Sequence, residues 1–281
     1  CNTYIALLFY LIISHLVPIS LFSSSYLSSH PHLSRLVLLS YLHFISLLSQ
    51  SCILFLYLLP FFASTAVYFY LWIPESTPSP LAAVVKSAPV LSLALLVLSY
   101  NGGWSLLGVA GGLVLSACGD ACLIWKEHFL HGMACFALAH ILYSLSFLSW
   151  RYSSSSSWLY MLYLLLWGVS GGTFFYLLPF LRSSQDPDIY VPAIGAYTLL
   201  ITVMATLALR TRRTLVMLGG LTFVISDLTI ALQMFKVIET LDYNRHIIMT
   251  TYYLAQLLIA VGDVKTTLTP EADDLVKRKR L

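Results

Sequence analysis

The chain has 281 residues, of which 59% are apolar and only 10% are Asp, Glu, Lys or Arg, and its formal net charge is +3. Average soluble proteins carry about 25% charged residues, so this composition excludes an ordinary soluble domain. Apolar runs of about 20 residues follow one another with short polar breaks, and each is long enough to cross a hydrocarbon core of roughly 30 Å. The sequence therefore predicts an all-α polytopic membrane protein.

Residues 1–50 are predicted to form a hydrophobic N-terminal extension that stands apart from the rest of the chain. The apolar run at 4–22 has no basic segment before it and no clear cleavage site, which favours a membrane helix over a signal peptide. A break at 23–34, rich in Ser, His and Pro, and an apolar stretch at 36–48 follow it. Because the chain opens at Cys1 rather than Met, it stays open whether this extension belongs to the mature protein.

Eight core transmembrane helices are predicted after this extension, within a transmembrane domain at 51–265 that a basic tail at 266–281 follows. Each helix corresponds to an apolar run bounded by polar or Pro-containing breaks. The predicted helices lie at about 53–73, 81–99, 103–124, 130–150, 158–180, 189–209, 214–234 and 246–264.

The distribution of basic residues predicts the orientation of these helices. With the C-terminus in the cytoplasm, nine basic residues fall on the cytoplasmic side and four on the opposite side, which agrees with the positive-inside rule. The cytoplasmic set is Arg151, Arg210, Arg212, Arg213, Lys265, Lys277, Arg278, Lys279 and Arg280, and the opposite set is Lys126, Arg182, Lys236 and Arg245. The tail is therefore predicted to be cytoplasmic.

Three charged residues inside predicted spans are candidates for a site, namely Lys86 in the second helix, Asp120 in the third and Asp227 in the seventh. Each costs about 2.5–3.5 kcal/mol on insertion scales, so a partner or a function should offset that cost. In the predicted topology all three lie ~6–10 Å inside the non-cytoplasmic ends of their helices, at a rise of 1.5 Å per residue. This matched depth predicts that they share one leaflet. Two plainer interpretations stay open: Lys86 snorkels to the interface, or both aspartates form a structural pair with it.

Other polar side chains fall at similar or slightly greater depth, and a polar pocket opening toward the non-cytoplasmic leaflet would collect them all. A histidine on an apolar helix is more often a hydrogen-bonded packing residue, and most tyrosines pack or lie at the membrane interface. The polar residues at this depth are His140, Tyr143, Tyr176, Tyr197, Tyr253 and Gln256.

Two motifs match known chemistry in their letters but not in their context. The Gly168–Gly172 stretch fits the G-x-S-x-G nucleophile motif, which needs a strand and a sharp turn, whereas here it lies inside an apolar helix. Glu127, His128 and His131 lack the H-E-x-x-H spacing of a zinc site and favour a solvated loop. Neither a metal nor another cofactor is predicted, and nothing indicates a nucleic-acid partner.

Six stretches of the chain carry a resemblance to a known family. They contain the elements GD, AHxxY, SD and YYxAQ, which are weak alone and specific together. The stretches are Leu59–Pro89, Gly112–Trp125, His131–Phe147, Val191–Ala205, Gly219–Leu232 and Tyr252–Gly262. In order and spacing, the chain resembles the YhhN-type transmembrane family over about residues 55–265, and the animal members of that family are lysoplasmalogenases.

The resemblance implies an enzyme that cleaves the vinyl ether bond of lysoplasmalogens. Its products would be a fatty aldehyde and a glycerophospho-ethanolamine or -choline. The substrate would be a lysophospholipid in a surrounding of membrane lipids, and for animal members the implied location is the endoplasmic reticulum. The resemblance implies no cofactor, and the sequence indicates no particular oligomeric state.

Vinyl ether hydrolysis suits two carboxyl groups, one protonated and one ionised. The acid protonates the alkene carbon distal to oxygen, and water then attacks an oxocarbenium-like cation, much as in glycosidases with two carboxyls. Asp120 and Asp227 are the predicted catalytic pair, and Lys86 is predicted to hold the substrate phosphate. The full set predicted to bind substrate or to position water is Lys86, His140, Tyr143, Tyr197, Tyr253 and Gln256.

Two other classes of function stay open at the level of the sequence. Paired intramembrane acids with a lysine also suit a proton-coupled transporter of small molecules or lipids. A non-catalytic lipid-binding or scaffold protein is the third alternative. Release of aldehyde in detergent, without a gradient, distinguishes the enzyme from a pure transporter, and a scaffold should tolerate replacement of both aspartates.

Overall fold

The computed structural model describes residues 52–74, 78–149, 159–184, 186–235, 237 and 242–268. Within these ranges the chain is helical and has no strand, so the predicted all-α class with eight core helices is confirmed. The helices are α1 Cys52–Leu71, α2 Pro80–Asn101, α3 Val109–Cys122, α4 Phe129–Leu148, α5 Leu159–Arg182, α6 Pro187–Arg210, α7 Thr214–Met234 and α8 Asp242–Leu268.

The predicted N-terminal extension and most of the predicted basic tail lie outside the described residues. The chain groups into two compact units, 1–59 and 60–281. The first unit is described only over the start of α1. Both cavities described below lie within the second unit.

Seven of the described helices are long and apolar enough to cross a membrane, and α3 is the shorter one. Apart from this third helix, the predicted bounds agree with the structure to within four residues. The start of α2 shows why the ends of helices can be predicted from the sequence. The Ser79 hydroxyl accepts a hydrogen bond from the Ala82 N–H at 3.2 Å, and Pro80 occupies the first helical position, where it sacrifices no hydrogen bond.

The third predicted helix, at 103–124, is wrong as a single continuous element. A 3₁₀ helix at Gly103–Leu107 precedes α3, which begins only after Gly108 and has 14 residues. The break depends on glycine, because a Cβ at Gly111 would collide with the carbonyl oxygen of Leu106. The chain therefore folds closely against the start of α3 instead of continuing as one helix.

The order of contacts brings distant parts of the chain together. α3 packs against both α2 and α4, α6 packs against α4, α5 and α7, and α8 packs against α7, α2 and α3. Small residues allow the closest approach: a Cβ at Gly219 of α7 would lie 2.8 Å from Ile259 of α8. Among the seven long helices, α8 has the largest buried share. Because it is packed on several sides, α8 contacts charged residues of other helices, as described below.

Candidate active site

The larger of two neighbouring cavities lies where α1, α3 and α7 end and α2, α4 and α8 begin. Its volume is about 390 Å³, within the range of roughly 300–1,000 Å³ typical of small-molecule sites. We call it the polar cavity. Its polar lining consists of Tyr68, Lys86, Asp120, Trp125, Lys126, Gln233, Arg245 and Tyr252. The predicted meeting of Lys86 and Asp120 at one end of the helices thus occurs in this cavity.

Asp120 lies in the last turn of α3 and is only 2% exposed. The Tyr252 hydroxyl of α8 donates a hydrogen bond to its Oδ2 atom at 2.6 Å. Behind it, a Cβ at Gly119 would lie 2.7 Å from the Phe136 ring, so α3 and α4 approach closely. Ser87 of α2 donates to the α3 backbone at 2.9 Å. Three neighbouring helices therefore hold the position of this carboxyl group.

Asp227 lines the second cavity, of about 110 Å³, which lies among α4, α5, α6 and α7. The Tyr197 hydroxyl donates to Asp227 Oδ2 at 2.5 Å. The His140 Nε2 atom lies 3.1 Å from that hydroxyl and 3.4 Å from Asp227 Oδ2. We call this the apolar cavity, since most of its lining is aliphatic or aromatic, including Met133, Phe136, Phe174, Leu177, Ile194 and Val224.

The two carboxyl groups therefore line two adjoining cavities, where the sequence predicted one pocket that would collect all the polar residues. The cavities share Leu123, Phe129 and Ile230 in their walls. The reason is the angular position of Asp227 on α7. Its neighbour Ser226 faces α8, where it donates to the Ile248 carbonyl at 3.2 Å, whereas Asp227 faces α4 and α6.

Four of the predicted substrate-binding residues line neither of these two cavities. Tyr143 donates to Gln256 Oε1 at 2.7 Å, and both side chains are fully buried. The Tyr253 hydroxyl donates to the Lys86 carbonyl oxygen at 2.8 Å, which fixes the α2 backbone that carries the lysine. His140 is fully buried beside Asp227. These four side chains therefore lie outside the lining of both cavities.

The remaining residues and motifs that the sequence singled out lie in different surroundings. Tyr197 lines the apolar cavity, whereas Tyr176 is exposed on α5. The Gly168–Gly172 stretch lies inside the continuous helix α5, without the strand and turn that a nucleophile elbow needs. His128 and His131 are exposed at the turn into α4, with ring centroids 5.4 Å apart.

Two cations and a tyrosine of the polar cavity were missed as site residues. Lys126 and Arg245 were predicted only as basic residues on the non-cytoplasmic side, which is the side where Lys86 and Asp120 were predicted to lie. Tyr252, the partner of Asp120, was passed over for its neighbour Tyr253. The two cations could have been predicted from their positions just outside helix ends on the non-cytoplasmic side. Depth along the helix could not distinguish Tyr252 from Tyr253.

A further buried acid lies at the other end of α8. Asp263 is fully buried and its Oδ2 atom accepts a hydrogen bond from the Asn101 amide at 2.6 Å. This carboxyl group was not predicted as a candidate, although Asp263 falls within the last predicted span. Because Asn101 ends α2 and Tyr253 bonds near the start of α2, this contact ties α8 to α2 a second time.

Comparison with known proteins gives the relationships of this chain. The model of the YhhN family matches residues 81–262. Lysoplasmalogenase TMEM86B of Sus scrofa is 40% identical over 208 residues, which cover 73% of this chain and 85% of that protein. Lysoplasmalogenase TMEM86A of Bos taurus is 36% identical over 239 residues, with coverage of 79% and 94%. The human TMEM86B is 39% identical over 219 residues, with coverage of 77% and 90%.

No solved structure matches the chain. The matched family region contains both aspartates and Lys86, together with all of the helices from α3 to α7. The relatives extend that likeness over most of their own lengths. The chain belongs to the YhhN family.

Proposed function

We propose that this protein is an intramembrane hydrolase that cleaves the vinyl ether bond of lysoplasmalogens. The observation that carries the proposal is a pair of carboxyl groups, each hydrogen-bonded to a tyrosine hydroxyl and lining adjoining cavities among membrane-spanning helices. The names of its relatives, lysoplasmalogenases, support an enzyme of this type acting on a lysophospholipid among membrane lipids. They do not favour the alternative of a proton-coupled transporter.

The proposed reaction consumes one water molecule and needs one proton shared between Asp120 and Asp227. The protonated carboxyl group transfers its proton to the alkene carbon distal to oxygen, which leaves an oxocarbenium-like cation at the carbon beside oxygen. The other carboxylate takes a proton from water as the water oxygen bonds to that carbon, giving a hemiacetal. The second carboxyl group then gives the proton it took from water to the ether oxygen as the carbon–oxygen bond breaks, and the hemiacetal hydroxyl gives its proton to the first carboxylate, which restores both groups. A fatty aldehyde and a glycerophospho-ethanolamine or -choline leave.

The tyrosines and His140 are proposed to hold these carboxyl groups in position. Tyr252 donates to Asp120, and Tyr197 donates to Asp227, with His140 next to both groups of the second pair. A hydrogen bond to a carboxylate is stronger than one between neutral groups, so each tyrosine fixes the orientation of its carboxyl group. Lys86, which lines the polar cavity beside Asp120, is proposed to bind the substrate phosphate.

The proposal is tested with the purified protein in detergent. Aldehyde release is measured from a 1-alkenyl lysophospholipid and from its 1-acyl and saturated 1-alkyl analogues. Asp120→Asn and Asp227→Asn should each lower kcat by about 10²–10⁴-fold, the usual contribution of general acid–base catalysis. Asp188→Asn, which removes an exposed acid at the start of α6, is the matched control and should keep wild-type turnover.

Two outcomes would contradict this proposal. Wild-type protein that releases no aldehyde from any lysoplasmalogen is not such a hydrolase. Near wild-type turnover in either asparagine variant would exclude the two-carboxyl mechanism, even if the reaction itself is present. Gel filtration and thermal unfolding of each variant verify that a lost activity is not a lost fold.

We further propose that residues 51–265 form the catalytic unit, in the endoplasmic reticulum membrane with the C-terminal tail in the cytoplasm. The helices long and apolar enough to span a membrane support an integral membrane protein. The basic residues of the sequence support the orientation. Accessibility of a tag fused after Leu281 in selectively permeabilised cells tests it.

A further inference from the structure

The polar cavity contains three basic side chains that come from three distant parts of the chain. Lys86 belongs to α2, Lys126 follows α3, and Arg245 belongs to the first turns of α8. Among the described residues of that lining, Asp120 carries the one carboxyl group. The described lining therefore has more positive than negative groups and suits an anionic ligand.

Within the described part of the chain, neither Lys86 nor Lys126 forms an ion pair with a carboxylate. Lys86 is half-buried and lies one residue from Ser87, which is buried against α3. A lysine at this depth costs free energy that an internal ion pair would ordinarily offset. An anion in the cavity would supply that offset instead.

At the rim of the cavity, Arg245 contacts a backbone carbonyl group and two aromatic rings. One of its guanidinium nitrogens donates to the Ile73 carbonyl oxygen at 2.8 Å. The guanidinium carbon lies 4.2 Å from the Trp72 ring centroid and 5.9 Å from that of Tyr68. These contacts orient the planar group before any ligand binds, which lowers the entropy cost of binding a phosphate.

The apolar cavity lies on the other side of the wall formed by Leu123, Phe129 and Ile230. A basic compartment beside an apolar one matches an amphiphile with one anionic group and one hydrocarbon chain. In a lysophospholipid, only the glycerol carbons separate the phosphate from the ether oxygen. A phosphate in the polar cavity and a chain in the apolar cavity would therefore place the ether bond at the shared wall, between Asp120 and Asp227.

We infer that Lys86, Lys126 and Arg245 together form a phosphodiester site, and that a single-chain phospholipid binds across both cavities. The three-cation site explains the positive lining, and the split between cavities explains why the two carboxyl groups line different compartments. The identity of the lipid as a lysoplasmalogen rests on the proposed function, whereas the phosphate site itself does not.

The test measures binding and does not depend on turnover. The probes are a saturated 1-O-alkyl lysophospholipid, which has no vinyl ether to cleave, and the 1-O-alkylglycerol with the same chain but no phosphate. Lys126→Met should weaken binding of the phospholipid by about tenfold and leave binding of the alkylglycerol unchanged, because a charge-assisted hydrogen bond is lost. Lys126 is exposed, so this change should leave the fold intact.

Arg182→Met is the matched control, since Arg182 is an exposed cation at the end of α5 that lines neither cavity. It should bind both probes as the wild type does. Lys86→Met and Arg245→Met should show the same selective loss as Lys126→Met. Arg245→Lys, which keeps the charge, should retain more phospholipid binding than Arg245→Met.

Three results would overturn the inference. Unchanged phospholipid binding in Lys126→Met and Lys86→Met excludes these lysines from the site. Equal weakening of both probes indicates a general defect without phosphate recognition. Displacement of the phospholipid by inorganic phosphate at equal concentration would assign the cations to a water-soluble anion.

The test also separates this inference from the proposed function. A wild-type protein that binds the alkyl phospholipid through these cations but releases no aldehyde would leave the phosphate site standing and exclude the hydrolase. A wild-type protein that releases aldehyde, with KM unchanged in all three cation variants, would support the hydrolase and exclude the phosphate site.

Discussion

Tyr252 and Tyr253 are adjacent on α8, but their hydroxyl groups have different partners. The first donates to the Asp120 carboxyl group, and the second donates to the Lys86 backbone. Tyr252→Phe should therefore lower kcat by about tenfold with little change in KM, because the carboxyl group loses the donor that orients it. The measurement is steady-state aldehyde release, and a wild-type kcat would show that Asp120 needs no such donor.

Tyr253→Phe should act on stability, since its hydroxyl donates to a backbone carbonyl group and its side chain lines neither cavity. Loss of one buried hydrogen bond costs about 1 kcal/mol, so thermal unfolding in detergent should shift to lower temperature. An unshifted unfolding transition together with a lost kcat would contradict this division of roles between the two tyrosines.

At the same residue scale, the sequence predicted how far along its helix each side chain lies but not the direction in which it points around the helix. The rise per residue placed Asp120 and Asp227 at one end of their helices because rise accumulates linearly along a helix. The direction of a side chain around its helix depends on which neighbours pack on each face, and one sequence does not specify those neighbours. For this reason Tyr253 was chosen over Tyr252, and Asp227 was expected beside Asp120 when it faces α6.

At the scale of the element, α3 depends on close contacts at glycine. A Cβ at Gly111 would collide with the Leu106 carbonyl oxygen, which belongs to the backbone and cannot rotate away. Gly111→Ala should destabilise the protein by about 1–3 kcal/mol, the usual cost of overpacking, in spite of the higher helix propensity of alanine. Gly171→Ala in α5, where nothing lies within 4 Å of an added Cβ, is the matched control and should be neutral or slightly stabilising.

Thermal unfolding of both glycine variants in the same detergent measures this difference. A stable Gly111→Ala variant would mean that the 3₁₀ segment before α3 is not packed against it.

The lengths and apolar composition of the seven long helices were predictable, since each follows from an uninterrupted apolar run. The break before α3 was not, because Gly103 and Gly108 lie within a stretch, 103–124, that is apolar enough to be taken for one continuous helix.

At the scale of the whole molecule, the two cavities predict a dependence of activity on the length of the lipid chain. Val224 lines the apolar cavity one turn before Asp227. Val224→Phe should raise KM for long-chain substrates several-fold and leave short-chain substrates nearly unaffected, because the added ring occupies space that only a long chain needs. Val84→Phe on the exposed face of α2 is the matched control. An equal loss for all chain lengths would place the chain elsewhere.

The short third helix has a consequence for the surrounding bilayer. With 14 residues, α3 is about 21 Å long, roughly 9 Å less than a typical hydrocarbon core. Hydrophobic mismatch of this kind is relieved when lipids thin beside the short element or when the polar surface dips toward it. Since Asp120 lies in the last turn of α3, such a local depression would bring water and lipid headgroups toward the level of the polar cavity, and membrane thickness would tune how easily a lysophospholipid enters.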